Sequence, residues 1–228
     1  MRIEALSKSF GPKLAVAAAT LELQDHTITC IVGKSGCGKT TLLRLIAGLE
    51  EPSTGYVDVK GRIGVVFQEP RLMEWLNVEE NIKFADRGLE PNSQAADAKL
   101  QQLLRQLGLQ EAAKLYPHQL SGGMAQRVAL GRTLYYNPEV ILMDEPFSAL
   151  DYFTRTGLQQ VLLELQSREH KTIIFVTHDV EEALLLGDRL LIMDKGVVTD
   201  DLEVKLKRPR QAAASELQAL RQHVLTAL

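Results

Sequence analysis

Four short stretches of the chain are apolar at nearly every position: Thr27–Val32 (TITCIV), Val140–Met143 (VILM), Thr172–Thr177 (TIIFVT) and Leu190–Met193 (LLIM). Runs this short, rich in Val, Ile and Leu and lacking polar alternation, predict strands covered on both faces, the setting of a parallel sheet. Ile63–Phe67 (IGVVF) is a fifth run of this kind, interrupted by a glycine. Helical spacing comes between them. Leu42, Leu45, Ile46 and Leu49 follow the first run on one helical face, with Gly48 placed to end the helix. After TIIFVT, Asp179 with Glu182 three residues on predicts a capping box. Strand and helix in alternation predict an α/β fold with a parallel sheet.

The periodicity changes in the middle of the chain. From about Asn77 to Tyr136 it is almost entirely helical, and Ala95–Leu109 sets Leu100, Leu103, Leu104 and Leu107 on one face. Residues 71–136 are therefore expected to form a helical subdomain inserted into an α/β core made of residues 1–70 and 137–210. The first 25 residues and Gly55–Lys60 read as short antiparallel strands, an N-terminal β subdomain. Residues 211–228 read as a C-terminal helix with Leu217, Leu220, Val224 and Leu228 on one side.

Composition narrows the function classes. A net charge of −3 gives no reason to expect nucleic-acid binding. No stretch approaches the ~18–20 apolar residues of a membrane span. Glu4 and Lys8 fall where a signal peptide needs an apolar run. Cys30 and Cys37 have neither a metal spacing nor a disulfide framework, so a reducing cytosol is the expected compartment.

The chemistry begins at Gly33-Lys34-Ser35-Gly36-Cys37-Gly38-Lys39-Thr40, followed by Thr41. The stretch follows a predicted strand and opens a predicted helix, as a G-x-x-x-x-G-K-[ST] phosphate loop must. Its glycines let successive N–H groups turn toward one anion, and the helix start adds partial positive charge. Lys39 is expected to reach the β- and γ-phosphates and Thr40 to bind Mg²⁺. The run VILM ends in Asp144 and Glu145: Asp144 is the expected Mg²⁺ holder and Glu145 the base that positions a water. Gln68 and His178 also stand just past the C-terminal ends of predicted strands, the edge where open α/β sheets bind ligands. A second anion site is suggested by LSGGMAQR (Leu120–Arg127), where Ser121 caps a helix whose first residues are Gly122 and Gly123.

GKSGCGKT, Gln68, LSGGMAQR, VILMDE, SALD (Ser148–Asp151) and His178, in this order, make the chain resemble the ATP-binding cassette (ABC) transporter ATPases along essentially its whole length. The resemblance implies a P-loop NTPase (RecA-like) core. It implies ATP and Mg²⁺ as ligands and two such subunits, expected to be copies of one chain, packed head to tail. Ser121, Gly122 and Gly123 of one would then meet the γ-phosphate held by the other, and Asp151 would couple the two sites. It further implies that Phe10 stacks on adenine, that Gln68 contacts Mg²⁺ and the attacking water and begins a segment that senses a membrane partner, and that His178 contacts the γ-phosphate.

GVVFQEPRLMEWLNVEENI (Gly64–Ile82), Met124, MDEPFSALDYFTR and LKRPR…ELQALRQHVL are similar to importer subunits of the nitrate/sulfonate/taurine group. The Gly55–Gly64 region is shorter than that group leads one to expect. The resemblance implies a peripheral ATPase on the cytoplasmic face of the cell membrane, with an integral permease and an extracytoplasmic solute-binding protein as partners. Nitrate, sulfonates, taurine, bicarbonate and thiamine precursors all stay open as cargo. An exporter ATPase, a soluble ABC ATPase acting on DNA or ribosomes, and a kinase sharing only the phosphate loop are the alternatives. The first two usually carry fused membrane spans, or paired cassettes or a long coiled coil, and LSGGMAQR argues against the third.

Overall fold

The computed structural model describes residues 1–84, 94–148 and 150–228. Two strands open the chain, β1 (Arg2–Phe10) and β2 (Lys13–Glu22); β3 (Ile28–Val32) then leads through a loop into α1 (Lys39–Ile46), and β4 (Thr54–Asp58) returns to pair with β1. There follow β5 (Ile63–Val66), α2 (Val78–Lys83), α3 (Gln94–Gln106) and α4 (Gly122–Tyr136). The second half alternates: β6 (Val140–Asp144), α5 (Tyr152–Glu169), β7 (Thr172–Thr177), α6 (Val180–Leu186), β8 (Arg189–Asp194), β9 (Val197–Glu203) and α7 (Ser215–Ala227). Residues 85–93 of the expected helical insert, and Ala149 of SALD, lie outside the described residues.

Among the described residues the strands form two sheets, an antiparallel one in the order β2-β1-β4 and a larger one in the order β5-β6-β7-β3-β8-β9. The larger sheet is parallel from β5 to β8. Its apolar runs divide by parity. Ile173 and Phe175 of β7 face one core with Ile141, Met143, Leu190 and Ile192, whereas Ile174 and Val176 face another with Leu142, Leu191 and Met193. Both faces are covered, so the buried positions of both alternate sets are apolar apart from the threonines Thr29, Thr172 and Thr177. The first core is closed by the later helices, including Leu158 and Leu162 of α5 and Leu217 and Val224 of α7. The second is closed by α1, through Leu42, Leu43, Leu45 and Ile46, and by the antiparallel sheet through Ile3, Leu6 and Val16.

Three details differ from the sequence reading. Strand β9 was not foreseen: it pairs antiparallel with β8 at the sheet edge, and VVTDDLE alternates exposed and half-buried positions rather than showing an apolar run. Leu49 does not continue the face of α1, because the helix ends at Ile46, Gly48 turns the chain at φ 67, and Leu49 is left exposed. Asp179 does cap α6, accepting from the Glu181 and Glu182 N–H groups, but Glu182 does not reach back to complete a capping box.

The Glu182 side chain is 6% exposed and accepts hydrogen bonds from Gln159 Nε2, at 3.0 Å, and from the Thr177 hydroxyl. Burial raises its pKa, against the opposing pull of these two donors. The folded chain therefore keeps this proton in a pH window where the unfolded chain has lost it. Ionised Glu182 costs stability above that window, and the cost is relieved as pH falls through the raised pKa. Glu182→Gln keeps an acceptor for both donors and removes the charge. It should melt at a higher temperature than the parent at neutral pH, by ~2–4 °C for each ~1 kcal/mol released, with the gain shrinking as pH falls. A scanning fluorimetry series across pH checks this; a lower melting temperature at neutral pH would contradict it.

Candidate functional site

The loop between β3 and α1 carries the phosphate-binding pattern, and its backbone is packed from behind. A Cβ on Gly38 (φ 110) would lie 2.1 Å from the Ala15 carbonyl oxygen of β2, and one on Gly33 would lie 2.2 Å from the Met193 carbonyl oxygen of β8. Gly196 N–H donates to Cys37 O at 2.8 Å, and Ala17 N–H donates to Gly196 O at 2.8 Å, so the loop leans on a neighbour that is itself tied to β2. Cys37 is buried, its Sγ directed at Gly33, which makes it a packing residue. Lys34 and Ser35 are exposed on the crest. Gly38 caps α1 with no side-chain acceptor and the first turn holds no acidic residue, so the N–H groups of that turn and their partial charge are free to meet an anion. The Lys39 side chain folds over the loop, only 5% exposed, with Nζ 2.7 Å from Gly33 O and 3.1 Å from Lys34 O.

Facing the loop are the ends of β6 and β7. Thr40 Oγ1 donates to Asp144 Oδ1 at 3.0 Å. Burial raises the Asp144 pKa, partly countered by that hydrogen bond, and the neighbouring Glu145 charge raises it further. Glu145 has φ 44, a left-handed conformation that costs a non-glycine residue ~1 kcal/mol or more. Its backbone is held there on both sides: its N–H donates to Val176 O at 2.9 Å, and its carbonyl accepts from Ser148 N–H at 3.2 Å and Ser148 Oγ at 3.0 Å. The result aims the carboxylate at His178, whose Nδ1 lies 2.9 Å from Glu145 Oε2. Gln68 Nε2 donates to Ser148 Oγ at 3.3 Å. These groups surround a cleft of about 480 Å³ whose lining includes Phe10, Ser35, Lys39, Thr41, Gln68 and Glu145.

The second glycine pair lies elsewhere. Ser121 Oγ accepts from Met124 N–H at 3.3 Å and caps α4. A Cβ on Gly122 would meet open space, whereas one on Gly123 would lie 2.6 Å from Thr154 Cγ2 of α5. Asp151 caps α5, accepting from Thr154 N–H at 3.1 Å and Thr154 Oγ1 at 2.7 Å, bonds that hold its pKa below the usual carboxylate value. Neither Ser121–Gly123 nor Asp151 lines the cleft. The fold thus gathers Phe10, residues 33–41, Gln68, Asp144, Glu145 and His178, and leaves Ser121, Gly122, Gly123 and Asp151 outside. Sequence reasoning missed Lys13, which lines the cleft, and Ser148, the hydroxyl that joins Gln68 to the Glu145 backbone. Ser148 opens the SALD stretch and was legible there; Lys13 carried no signal beyond following the turn at Gly11.

A larger groove, about 540 Å³, lies along the exposed edge of β5. Val65, Phe67, Arg71, Met73, Phe84 and Tyr136 contribute to its mainly apolar lining.

Residues 16–148 match the family described as ABC transporter. The aliphatic sulfonates import ATP-binding protein SsuB 2 of Pseudomonas syringae pv. tomato is 46% identical, over 100% of this chain and 97% of the relative. SsuB 1 of Xanthomonas axonopodis pv. citri is 43% identical, over 100% and 96%. Among solved structures, the ATP-binding cassette MJ0796, dimeric in a post-hydrolysis state and bound to ADP and Pi, superposes with a TM-score of 0.79 at 29% identity, covering 90% of this chain and 99% of that one.

The loop packing separates two glycines that look alike in sequence. Gly38→Ala places a methyl group against the Ala15 carbonyl and should abolish binding of a fluorescent ATP analogue. Gly36→Ala, with φ 78 but open space around its Cβ, should cost ~1–2 kcal/mol of backbone strain and leave binding measurable. Equal binding losses in the two variants would show that crowding by β2 does not shape the loop.

Proposed function

The chain belongs to the ABC transporter family and is an ATPase of that family; on that premise we propose that it energises import of a small sulfonate-type solute, working as a head-to-tail pair of identical chains. The observation that carries the reading is the division of the site. The cleft is lined by the phosphate loop, a buried lysine and Glu145, which His178 meets from outside the lining, yet the capped glycine helix start at Ser121–Gly123 does not line it. A second copy, turned to face the first, would bring that helix start over the cleft.

In this reading the loop N–H groups and Lys39 hold the β- and γ-phosphates of ATP, Phe10 supports the adenine, and Ser121, Gly122 and Gly123 of the facing copy meet the γ-phosphate. Asp151 links the two sites. Glu145 orients a water and accepts its proton as the water oxygen bonds to the γ-phosphorus and the bond to the ADP oxygen breaks. His178, hydrogen bonded to Oε2, fixes which oxygen of Glu145 is available. Phosphoryl transfer needs mainly positioning and charge stabilisation, which these groups supply. The hydroxyl of Thr40 beside the carboxylate of Asp144, with Gln68 in the same cleft, is a hard oxygen donor set that fits Mg²⁺. Thr40, Asp144 and Gln68 would hold the ion, and when bound it neutralises phosphate charge.

ATP draws the two copies together and loss of the γ-phosphate contact releases them, so the pair alternates between closed and open forms. No helix among the described residues is long and apolar enough to cross a membrane. In this reading the solute path belongs to an integral permease, which this chain would serve from the cytoplasmic face, in keeping with relatives named as import ATP-binding proteins. The apolar groove beside Phe67 and Arg71, next to Gln68, suits an apolar helix from that permease. An extracytoplasmic binding protein would deliver the solute. Its class is taken from the two relatives, whose names specify aliphatic sulfonates.

Glu145→Gln should still bind MgATP, hydrolyse it more slowly by about a hundredfold or more, and elute as a dimer when ATP is present. Normal turnover would remove Glu145 from its role as base, and a monomer at saturating ATP would refute the shared-site reading. For the cargo, proteoliposomes carrying the assembled transporter should raise their ATPase rate when the binding protein is loaded with a short alkanesulfonate. Stimulation by nitrate and none by the sulfonate would overturn the assignment.

A further inference from the structure

The backbone around Gln68 is held by side chains of α4, the helix that begins with the capped glycines. Gln126 Nε2 donates to Phe67 O at 3.1 Å, on the N-terminal side of Gln68, and the single Thr133 Oγ1 proton is shared between Val65 O, at 3.3 Å, and Ala129 O of its own helix, at 3.2 Å. On the C-terminal side the Arg132 guanidinium spans two carbonyls, Nη2 to Pro70 O and Nη1 to Arg71 O, each at 2.9 Å. Gln126 and Thr133 are seven residues apart and share a helix face; Arg132 flanks it. Gln126 is 4% exposed, so its amide and the Phe67 carbonyl satisfy one another where water does not reach. The segment is also closed on itself, with the Arg71 guanidinium 4.3 Å above the Phe67 ring and Arg71 at φ 48. By contrast, among the described residues the Gln68 side chain makes one hydrogen bond, from Nε2 to Ser148 Oγ at 3.3 Å.

We propose that Gln126 and Arg132 are positioning residues for Gln68: they fix the backbone on either side of it to α4, so that Gln68 and the Ser121–Gly123 helix start are placed together. Neither side chain lines the nucleotide cleft; they act through the segment they hold. The inference rests on the assignment of Gln68 to the reacting centre made above. It adds that the helix presenting Ser121 to a facing copy sets how Gln68 sits in its own cleft. An arginine is required at 132 because a planar fork can bridge two adjacent carbonyls, whereas an ammonium is a point donor.

The test is steady-state ATPase kinetics of the full chain with Gln68→Ala, Arg132→Met, Arg132→Lys, Gln126→Leu and the double variant Gln68→Ala/Arg132→Met, alongside thermal melts. Arg132→Met and Gln126→Leu should each lower kcat by about ten- to a hundredfold, as misplacement near a reacting centre does. KM for MgATP should stay within about threefold, because the phosphate loop, Thr40 and Asp144 remain to hold the nucleotide and its ion when Gln68 shifts. Arg132→Lys should recover part of the loss. In the Gln68→Ala background Arg132→Met should add little, since both changes remove the same contribution. The inference is overturned if the two losses multiply, if KM rises in step with the fall in kcat, or if activity simply tracks the folded fraction in the melts. Full activity in Gln68→Ala alone would identify the assignment of Gln68 as the error, and the inference would go with it. Because Gln126 and Arg132 hold opposite sides of Gln68, misfolding of one variant leaves the other to decide.

Discussion

A buried ammonium that, among the described residues, bonds to backbone carbonyls rather than to a carboxylate sets the character of the cleft. Lys39 is nearly inaccessible, and its Nζ is met by two backbone carbonyls, Gly33 O and Lys34 O. Neutral dipoles meet its hydrogen bonds, the Asp144 carboxylate acts on it only through space, and a desolvated charge is costly unless paired. The loop N–H groups at the start of α1 add to the same positive field. The cleft therefore suits an anion, and in the proposed reading that anion is the γ-phosphate of ATP. The crowding of Gly38 by Ala15 and of Gly33 by Met193 keeps the loop in the shape that makes this possible.

Around that charge the parallel sheet does the assembling. Strands β3, β6 and β7 run side by side in the same direction, so their C-terminal ends emerge along one edge. Residues more than a hundred positions apart, such as Thr40 and Asp144, meet there at hydrogen-bond distance. Glu145 reaches His178 only because its backbone accepts a left-handed turn, which Val176 and Ser148 hold in place. Strain at such a residue survives where the surroundings over-determine it, and here the residue is the expected base.

Several side chains serve structure and site together. Ser121 and Asp151, both outside the cleft, are helix caps whose oxygens are already engaged with Met124 and Thr154. Capping fixes the start of α4 and of α5, and Gly123 lets those two starts approach each other closely at Thr154. The same helix α4 then holds the Gln68 segment through Gln126 and Arg132. One rod thereby joins the helix start proposed to face a second copy with the segment that carries Gln68.

Much of this was legible from residue order. Apolar runs of four to six residues declared the buried parallel strands, because a strand covered on both faces admits no polar alternation. GKSGCGKT declared an anion loop, because only that density of glycine before a helix leaves successive N–H groups bare. The edge strand β9 escaped, since an edge needs only one covered face and its pattern resembles a polar turn. Gln126 and Arg132 escaped for another reason: the carbonyls they bond lie 59 to 62 residues away along the chain, and a hydrogen bond to a distant carbonyl leaves no periodic trace. Local spacing determined which elements form and which residues carry chemistry, since propensity, capping and glycine conformation act over a few residues. Which of those residues share a cleft, which stay outside it, and which side chains hold them there was decided only by tertiary packing, because those contacts depend on how the sheet aligns its strand ends and where α4 crosses the segment after β5.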